Sequence, residues 1–475
     1  MNRSATGTEA HLHNSLFIAA AAAVSFLLLA EGPSWLLSGV TLGVVGCGVI
    51  LFGILFIVSA SQRSQTLDPA KTYLRLVLVV WWSALVSEQL FFRHTREEES
   101  FAGHFSDVAY GEAAFWALAF LALVIIGRPR LLRQGFSGCN KWLSLFALVC
   151  LISAPFSPTP RYSLAWAFKL FLVVLILLLC SAAIRDLNDI EAFFSSSFWG
   201  LVVVTMVCVA RAIADRSSVF EGGRLNELAS PAALAVSAGS LALLAVILNS
   251  LRKRTWLLGF VFIGAAVMIM SGGKAGAVAG IASVTLFFLL QKRPVAAFGW
   301  LLAVVALGSV LLVVTPLGTY FSTYYQQGQL STVTGRTELW QAAWPEIVQR
   351  PIVGHGYLAS KFQSTEVEGT FPYPAHMHNG FLEALYNNGL IGLTIIVLIH
   401  VVIVRNLWRA LKRLPSRYGK LLAVGSWAIY VNLFINGLFS ATFGGAARAP
   451  FMLLLALLVI SEKLRAMADR ALPAK

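Results

Sequence analysis

The sequence predicts an all-α fold, a polytopic bundle of transmembrane helices with one large external loop. Of the 475 residues, 58% are hydrophobic and only 12% are charged, which is about half the charged fraction of an ordinary soluble domain. The mean hydropathy is +0.76, and apolar runs long enough for a helical span recur from residue 15 to residue 460. These observations exclude a soluble enzyme, a secreted disulfide scaffold and a nucleic-acid-binding protein.

Fourteen apolar segments are candidate spans, because a helix needs about 20 apolar residues to cross the bilayer. Two places are weak, the short run at 142–154 and the pair of spans that meets at Gly272 and Gly273, so 12 spans is the alternative to 14. The spans define an N-terminal bundle (1–316) of about 11 candidates, a loop (317–379), and a C-terminal part (380–475) with three spans and a tail. The candidates are residues 15–30, 35–60, 72–91, 109–127, 142–154, 162–183, 193–210, 231–250, 255–271, 275–290, 295–316, 380–404, 420–440 and 449–463.

The positive residues orient this bundle. With the N-terminus inside, 23 of the 36 Lys and Arg residues fall in inside segments and 11 fall in outside segments. Short cytoplasmic loops of membrane proteins carry such an excess, so both termini are predicted to be cytoplasmic. The formal net charge of +14 is therefore mostly a topological signal and does not indicate a nucleic-acid partner.

The external segment 317–378 is much longer than the other connections, and long loops in compact folds usually have a function. Within it, residues 337–349 predict an amphipathic helix. This helix either lies along the membrane surface or caps the bundle. Its apolar face would carry Leu339, Trp340, Ala343 and Ile347.

His376 and His378 end this loop at the outer membrane face. Histidine exchanges protons near neutral pH, so one of them is a candidate general base. A metal site is disfavoured, because the i, i+2 spacing turns the two rings to different sides of a helix and no Cys or carboxylate ligand adjoins them. Structural hydrogen bonding is the remaining alternative.

Lysine and arginine residues on the outside form a second group of candidate site residues. Arg224, Lys274 and Arg336 each follow a glycine, and Lys169 lies about two turns into a span that begins near Arg161. A charge at that depth costs about 2.5–3.5 kcal/mol unless it faces a wet cavity or an anion. Cations beside glycines suit a phosphate group, because the backbone N–H groups can then approach the anion as well. Snorkelling to lipid headgroups is the alternative for Arg161 and Arg336.

Two sequence patterns are absent. There is no G-x-x-x-x-G-K-[ST] segment and no Asp-x-Asp, so nucleotide chemistry and metal-dependent use of nucleotide sugars are disfavoured. No cofactor is predicted. An external site of His, Arg and Lys fits a donor that is already activated and carried on a lipid.

Three motifs in and after the loop resemble those of the O-antigen ligase/O-antigen polymerase family. They are GRTELW (335–340), PIVGHG (351–356) and HNGFLEALYNNGLIG (378–392), which fit the patterns G-R-x-x-x-W, P-x-x-G-x-G and H-N-x-x-L-x-x-L-x-x-x-G-x-x-G. As in the family, three predicted spans follow the loop. Upstream, 223–225 and 271–276 resemble two further elements, with Ser230 where the family has Asn and Lys274 where it has Arg.

The resemblance implies a metal-independent, inverting glycosyltransferase of the GT-C type in the bacterial inner membrane, with its active site at the periplasmic face. Such an enzyme moves a glycan from undecaprenyl diphosphate to an acceptor hydroxyl. His378 would be the base, with His376 as the alternative. Arg336 and Arg224 would be the catalytic cations that stabilise the leaving diphosphate.

The remaining candidates would bind substrate. Lys274, Lys169 and Arg161 stand behind the two arginines as substrate-binding cations. Asn379 would orient the histidine or a sugar. Glu383, one helical turn later, would be either a partner of these residues or a plain helix-end residue.

The acceptor stays open. A polymerase would add the glycan to another lipid-linked repeat unit, making exopolysaccharide or O-antigen, whereas a ligase would use the lipid A core or a protein. A polymerase is favoured because these enzymes vary more in sequence. A lipid-linked oligosaccharide flippase is the alternative from another class, but the chain shows no repeated halves. The expected partners are the lipid-linked donor, a glycan or lipid A core acceptor, membrane lipids and a chain-length regulator, with no nucleic acid.

Overall fold

The computed structural model describes residues 69–90, 117–125 except 119 and 122, 133–136, 138–214, 225, 231–326, 336–361 and 377–471. These residues form helices and connections with no strand among them, which confirms the predicted all-α class. Seven of the described helices are long and apolar enough to cross a membrane, and two more are apolar but shorter. The candidate spans 15–30 and 35–60 lie outside the described residues, so the choice between 12 and 14 spans stays a prediction.

The described helices are numbered here in chain order. Short 3-10 turns at Gly138–Asn140, Ala154–Phe156 and Ala359–Lys361 lie between them. The α-helices are α1 (Pro69–Leu90), α2 (Lys141–Ser153), α3 (Pro160–Ala183), α4 (Leu187–Ala214), α5 (Pro231–Arg252), α6 (Leu257–Met270), α7 (Lys274–Leu290), α8 (Pro294–Val314), α9 (Leu317–Gln326), α10 (Arg336–Gln349), α11 (Gly380–Arg413), α12 (Arg417–Phe439) and α13 (Ala449–Arg470).

Helix α2 is the weak candidate span at 142–154. The two 3-10 turns extend it into one apolar stretch, Gly138–Phe156, of 19 residues. Phe146 of α2 is fully buried and meets Phe451 of α13 edge to face, with ring centroids 5.8 Å apart. The stretch is therefore long enough to span and is packed into the bundle.

Helices α5, α6 and α7 pack closely because small residues face one another. A Cβ atom at Gly276 of α7 would lie 2.5 Å from the Cβ of Ala235, and one at Gly280 would lie 3.2 Å from the Cα of Gly239. A Cβ at Gly264 of α6 would lie 2.7 Å from the carbonyl oxygen of Ala238. Close approach at glycine and alanine is the usual way in which membrane helices gain packing energy without a hydrophobic driving force.

One end of the bundle carries the paired charges. Glu191 of α4 pairs with Arg252 at the end of α5 and accepts a hydrogen bond from Tyr418 at the start of α12. Arg413 at the end of α11 pairs with Asp469 of α13, at 2.9 Å. All these basic residues belong to the segments that the charge count assigns to the cytoplasm. We call this end the basic end, and the opposite one, where α11 begins, the loop end.

Helix α11 is not the single straight span predicted at 380–404. Gly389 has φ 62° and ψ −161°, which is not helical and divides α11 into 380–388 and 390–413. Phe381 in the first part packs against His400 in the second, with ring centroids 5.5 Å apart, so the first part folds back beside the second. The second part, about 36 Å long at 1.5 Å per residue, can still cross the bilayer.

Candidate active site at the loop end

Helix α10 is the predicted amphipathic helix, and its apolar face lies against the protein. Leu339, Ala343 and Ile347 are buried, and Ala343 and Ile347 pack with Met377 and Tyr386. The opposite face is also partly apolar, with Trp344 55% and Val348 58% exposed, along with Ile352, Val353, Leu390 and Ile391 nearby in the fold. The helix thus caps the bundle and leaves an apolar surface of the kind that faces lipid.

The segment 351–356 fills the break in α11. In an unbroken helix the N–H groups of Leu390 and Ile391 would bond to the carbonyl groups of Tyr386 and Asn387. Here Leu390 donates to Pro351 (2.8 Å) and Ile391 to Ile352 (3.3 Å). The freed carbonyl groups accept instead from His355 (3.0 Å, at Tyr386) and Gly356 (2.9 Å, at Asn387). These four backbone groups thus find partners despite the break, as a membrane-embedded break requires.

Three glycines make this insertion possible. Gly354, Gly356 and Gly389 all have positive φ, at 71°, 101° and 62°. A Cβ atom would lie 2.5 Å from the amide nitrogen of Gly389 if placed at Gly354, and 2.2 Å from the carbonyl oxygen of Ile352 if placed at Gly389. The P-x-x-G-x-G motif and the first glycine of N-N-G-x-x-G are therefore structural. They lock the external loop into the broken span.

The lock is strengthened by side chains from α10. The hydroxyl of Tyr386 donates to the carboxylate of Glu346, at 2.7 Å, and the His355 ring stacks on Tyr386 with centroids 4.7 Å apart. The Nε2–H of His355 donates to the carbonyl oxygen of Glu346, at 2.9 Å. The structure thus fixes α10 relative to the first part of α11, and the predicted base His378 lies just before that part.

His378 lies directly before α11, half-buried, with a left-handed backbone at φ 49°. Burial and the positive charge of the neighbouring Arg336 lower the pKa of His378 to about 4, from the usual 6.5. Both causes disfavour the imidazolium ion. The ring is therefore neutral at pH 7, with a lone pair that can accept a proton. The structure brings together His378 and Arg336, two of the three residues predicted to be catalytic.

Asn379 begins α11 as its N-cap. Its Oδ1 accepts from the N–H groups of Phe381 and Leu382, at 2.9 and 3.1 Å. Its Nδ2 donates to the carbonyl oxygen of Leu438 at the end of α12, at 3.2 Å. Capping by Asn is worth about 1 kcal/mol. Because both ends of the amide are engaged, Asn379 fixes the start of α11 beside His378, and its predicted contact with a sugar stays a prediction.

Glu383 is buried, at 2% exposure. Its carboxylate accepts hydrogen bonds from the Ser360 hydroxyl (2.5 Å), the Met377 N–H (2.8 Å) and the Asn387 amide (3.3 Å). Of the two sequence-based readings of Glu383, these contacts favour a partner of the site over a plain helix-end residue. Its side chain joins the loop segment, α11 and the residue that precedes His378.

Lys274 begins α7 at the same end of the bundle as Asn379. Ser240 of α5 bonds to Asn432 of α12 (2.8 Å), while Gly280 of α7 faces Gly239, at the same level. Helices α7 and α12 run in opposite directions. Lys274 lies six residues before Gly280 on α7, and Leu438 lies six residues after Asn432 on α12, so both lie toward the same end. This register puts Lys274 near the level of Leu438, to which Asn379 binds.

Arg224 and His376 lie outside the described residues, so their predicted roles stay predictions. The residue after Arg224 is described: the N–H of Leu225 donates to the carbonyl oxygen of Met270, at 3.0 Å. Leu225 also packs on Leu234 and Val267. The chain at position 225 is therefore anchored at the turn between α6 and α7 that leads to Lys274.

The predicted cations of α3 differ in their surroundings. Arg161 is exposed at the first turn of the helix, as a headgroup-facing arginine would be. Lys169 is only 4% exposed, and its Nζ lies 4.3 Å from the centroid of the Trp166 ring. A cation on an aromatic face is stabilised by the ring quadrupole, so part of the cost of burying Lys169 is offset within the protein.

Sequence reasoning missed two residues near this site. Lys361 donates to the hydroxyl of Tyr162 at 2.7 Å, which adds a cation at the start of α3. Trp340, assigned only to the apolar face of α10, donates its indole N–H to the carbonyl oxygen of Met377, at 2.8 Å. The tryptophan of the G-R-x-x-x-W motif was the available signal, since a buried indole usually finds a hydrogen-bond partner.

No group of three His, Cys, Asp or Glu side chains that could hold a metal ion occurs among the described residues. The free cysteines that the structure describes are Cys139, Cys150 and Cys180, which lie toward the basic end or inside helices. The described part of the site at the loop end thus brings together His378 and Arg336, with Asn379 and Glu383 beside them and Lys274 at the start of α7.

These features define a polytopic, all-α membrane protein with a polar site of histidine and cations at one end of its bundle. Residues 240–397 match the family described as O-antigen ligase, a range that contains α10, the inserted segment, His378 and the break in α11. This match, over about a third of the chain, supports the predicted resemblance to the O-antigen ligase/O-antigen polymerase family.

A curated relative is the exopolysaccharide production protein ExoQ of Rhizobium meliloti (strain 1021). It is 39% identical to this chain over 97 residues. The matched part is 19% of this chain and 22% of that protein, so the match spans only about a fifth of the length of this relative.

Proposed function

We propose that this protein is a glycosyltransferase that polymerises glycan repeat units carried on undecaprenyl diphosphate, at the periplasmic face of the bacterial inner membrane. The observation that carries this proposal is that His378, directly before α11, and Arg336, at the start of α10, lie together at one end of a membrane bundle. The family match and the name of the relative from Rhizobium meliloti support a glycan as the substrate and exopolysaccharide as the product.

The reaction assigns one role to each group. His378 accepts the proton of the acceptor hydroxyl while that oxygen attacks the anomeric carbon of the donor sugar from the face opposite the diphosphate. The bond between the anomeric carbon and the diphosphate oxygen breaks, and its electron pair leaves with the diphosphate. One displacement of this kind inverts the anomeric configuration.

Cations supply the stabilisation that the leaving group needs. Charge develops on the diphosphate oxygen as the bond breaks, and fixed positive groups nearby lower the barrier. Arg336 is the described candidate, Arg224 is the second, and Lys274 lies at the same end of the bundle. In this mechanism the arginines do what a divalent metal ion does in other sugar transferases, so the enzyme is metal-independent.

Donor binding would also tune the base. Without the donor, Arg336 helps to hold the pKa of His378 near 4. A bound diphosphate brings negative charge beside both residues, which raises the pKa of His378 toward its usual range. A base whose pKa lies closer to the working pH takes a proton more effectively in the transition state. The donor would therefore activate the base for its own transfer.

The test uses the full-length protein in lipid nanodiscs with a purified lipid-linked repeat unit and no other acceptor. A ladder of longer lipid-linked glycans supports the polymerase. The variants H378N and R336Q are expected to consume the donor at only a small fraction of the wild-type rate. The variant R409Q, an exposed arginine near the basic end, is the matched control and keeps activity.

The same assay separates the alternatives. A ligase would leave the repeat unit unextended until lipid A core or a protein acceptor is added. A flippase would make no longer product with any acceptor, and cysteines placed at 336 or 378 would react from both sides of the membrane in turn. An active H378N protein at normal expression would refute the assignment of the base.

A further inference from the structure

Met377, the residue that precedes His378, is held through both of its backbone polar groups. The N–H of Met377 donates to Oε2 of Glu383, at 2.8 Å, and the carbonyl oxygen of Met377 accepts from the indole N–H of Trp340, also at 2.8 Å. Met377 is only 1% exposed, so both bonds lie in a protected place. Hydrogen bonds shielded from water in this way are electrostatically stronger than those at the surface.

This anchoring matters because His378 has a left-handed backbone. That conformation is strained for a residue with a Cβ and persists only where its surroundings impose it. On the other side of His378, Asn379 is fixed by its capping bonds and by Leu438. The histidine therefore lies between two anchored residues, and the direction of its side chain is set by them.

The two anchors belong to the same rigid unit as the neighbouring cation. Trp340 lies one helical turn after Arg336 on α10, so the helix that carries the guanidinium also carries the indole. Glu383 is held by Ser360 and Asn387, and the Asn387 carbonyl bonds to Gly356 in the inserted segment. Movement of α10 would therefore displace Arg336 and His378 together.

We propose that Trp340 and Glu383 are positioning residues for His378: by clamping the backbone N–H and C=O of Met377 from opposite sides, they aim the imidazole at the acceptor hydroxyl and keep it beside Arg336. This proposal rests on the proposed function. In this proposal the tryptophan of the G-R-x-x-x-W motif holds the carbonyl group of Met377, and Glu383 holds its N–H group. Together they form the clamp that orients the base.

The experiment measures glycan extension in nanodiscs by the wild type and by the variants W340F, E383Q and W344F. W340F removes only the N–H donor, and E383Q makes one of the acceptor oxygens a donor. W344F is the matched control, because Trp344 lies on the exposed face of the same helix. Folding is checked for each variant by its melting midpoint and elution profile.

For W340F and E383Q we expect kcat to fall about 10- to 100-fold, with KM for the donor changed less than about twofold, because a misaimed base slows chemistry without weakening donor binding. W344F is expected to match the wild type. Combined with H378N, the two substitutions should cause little further loss, since they act through a base that is already gone.

Three results would overturn the proposal. W340F could retain wild-type kcat, its loss could lie wholly in KM, or it could reduce the residual activity of H378N by the same factor as that of the wild type. If H378N itself were fully active, the proposed function would fail instead. If H378N were inactive while W340F and E383Q matched W344F, only the clamp would fail.

Discussion

Replacing Gly389 by Ala should disrupt the lock between the external loop and the broken span. The backbone of Gly389, at φ 62° and ψ −161°, lies in a region that only glycine occupies readily. A Cβ atom there would lie 2.2 Å from the carbonyl oxygen of Ile352 and 2.6 Å from the amide nitrogen of Val353. Both neighbours are backbone atoms, so the inserted segment must move.

The magnitude follows from what that movement breaks. The strained backbone alone costs about 1–3 kcal/mol. The four hydrogen bonds that join 351–356 to the break contribute about 0.5–1.5 kcal/mol each, so losing the whole insertion adds about 2–6 kcal/mol. A native protein is stable by only about 5–15 kcal/mol. The Gly389→Ala protein should therefore unfold far below the wild-type temperature or fail to accumulate.

The assay is the melting midpoint of the solubilised protein, followed by fluorescence-detected size-exclusion chromatography. Gly299→Ala is the matched control, because Gly299 lies inside α8 and a Cβ there has no atom within 4 Å. The control should be neutral or slightly stabilising, since alanine is the better helix former. Equal melting midpoints for the two variants would refute the lock.

Three further predictions follow from the same geometry. In the wild type, kcat/KM should stay flat through neutral pH and fall only as the pH approaches 4. In R336Q this fall should begin at a higher pH, because the positive charge that opposes protonation of His378 is gone. A wild-type profile that falls near pH 6.5 and is the same in R336Q would contradict this. The pKa of His378 is lowered on folding, so the wild type should lose stability relative to H378N as the pH falls from about 6.5 to 4. H378A should melt at a lower temperature than H378N, because Asn tolerates the left-handed backbone. Melting curves at pH 7 and pH 5 check both expectations, and coincident curves would contradict them. Gly276→Ala should lower the melting midpoint by the equivalent of about 1–3 kcal/mol, since its Cβ would lie 2.5 Å from the Cβ of Ala235, and a midpoint equal to that of Gly299→Ala would show that α5 and α7 can separate freely.

Much of the fold could be predicted from the sequence, because membrane spans are set by local composition. Each described long helix falls at or near a predicted apolar run, and α10 matches the predicted amphipathic segment within one residue at its start. The break in α11 could not be predicted from hydropathy, because the run 380–404 is apolar throughout its second half and carries no proline. Only the inserted segment, distant from Gly389 by more than 30 residues, makes the break stable.

The site divides in the same way. The motifs identify His378, Arg336 and Glu383 as candidates, because residue types and spacing carry that information. They do not separate a residue that reacts from one that holds another in place. The glycines of P-x-x-G-x-G and the indole of Trp340 look alike as motif positions, yet the former shape a backbone insertion and the latter bonds to the residue before His378.

By itself, the sequence determined that this protein is a membrane bundle, which of its connecting segments are basic, and which family motifs lie in and after the long loop. Hydrophobicity and charge act residue by residue, so a linear chain is enough to read them. Only the tertiary structure decided that α11 is broken at Gly389, that the loop completes it, and that His378 lies clamped beside Arg336. Those features depend on backbone hydrogen bonds and close contacts between segments far apart in the chain, which exist only when the segments are folded together.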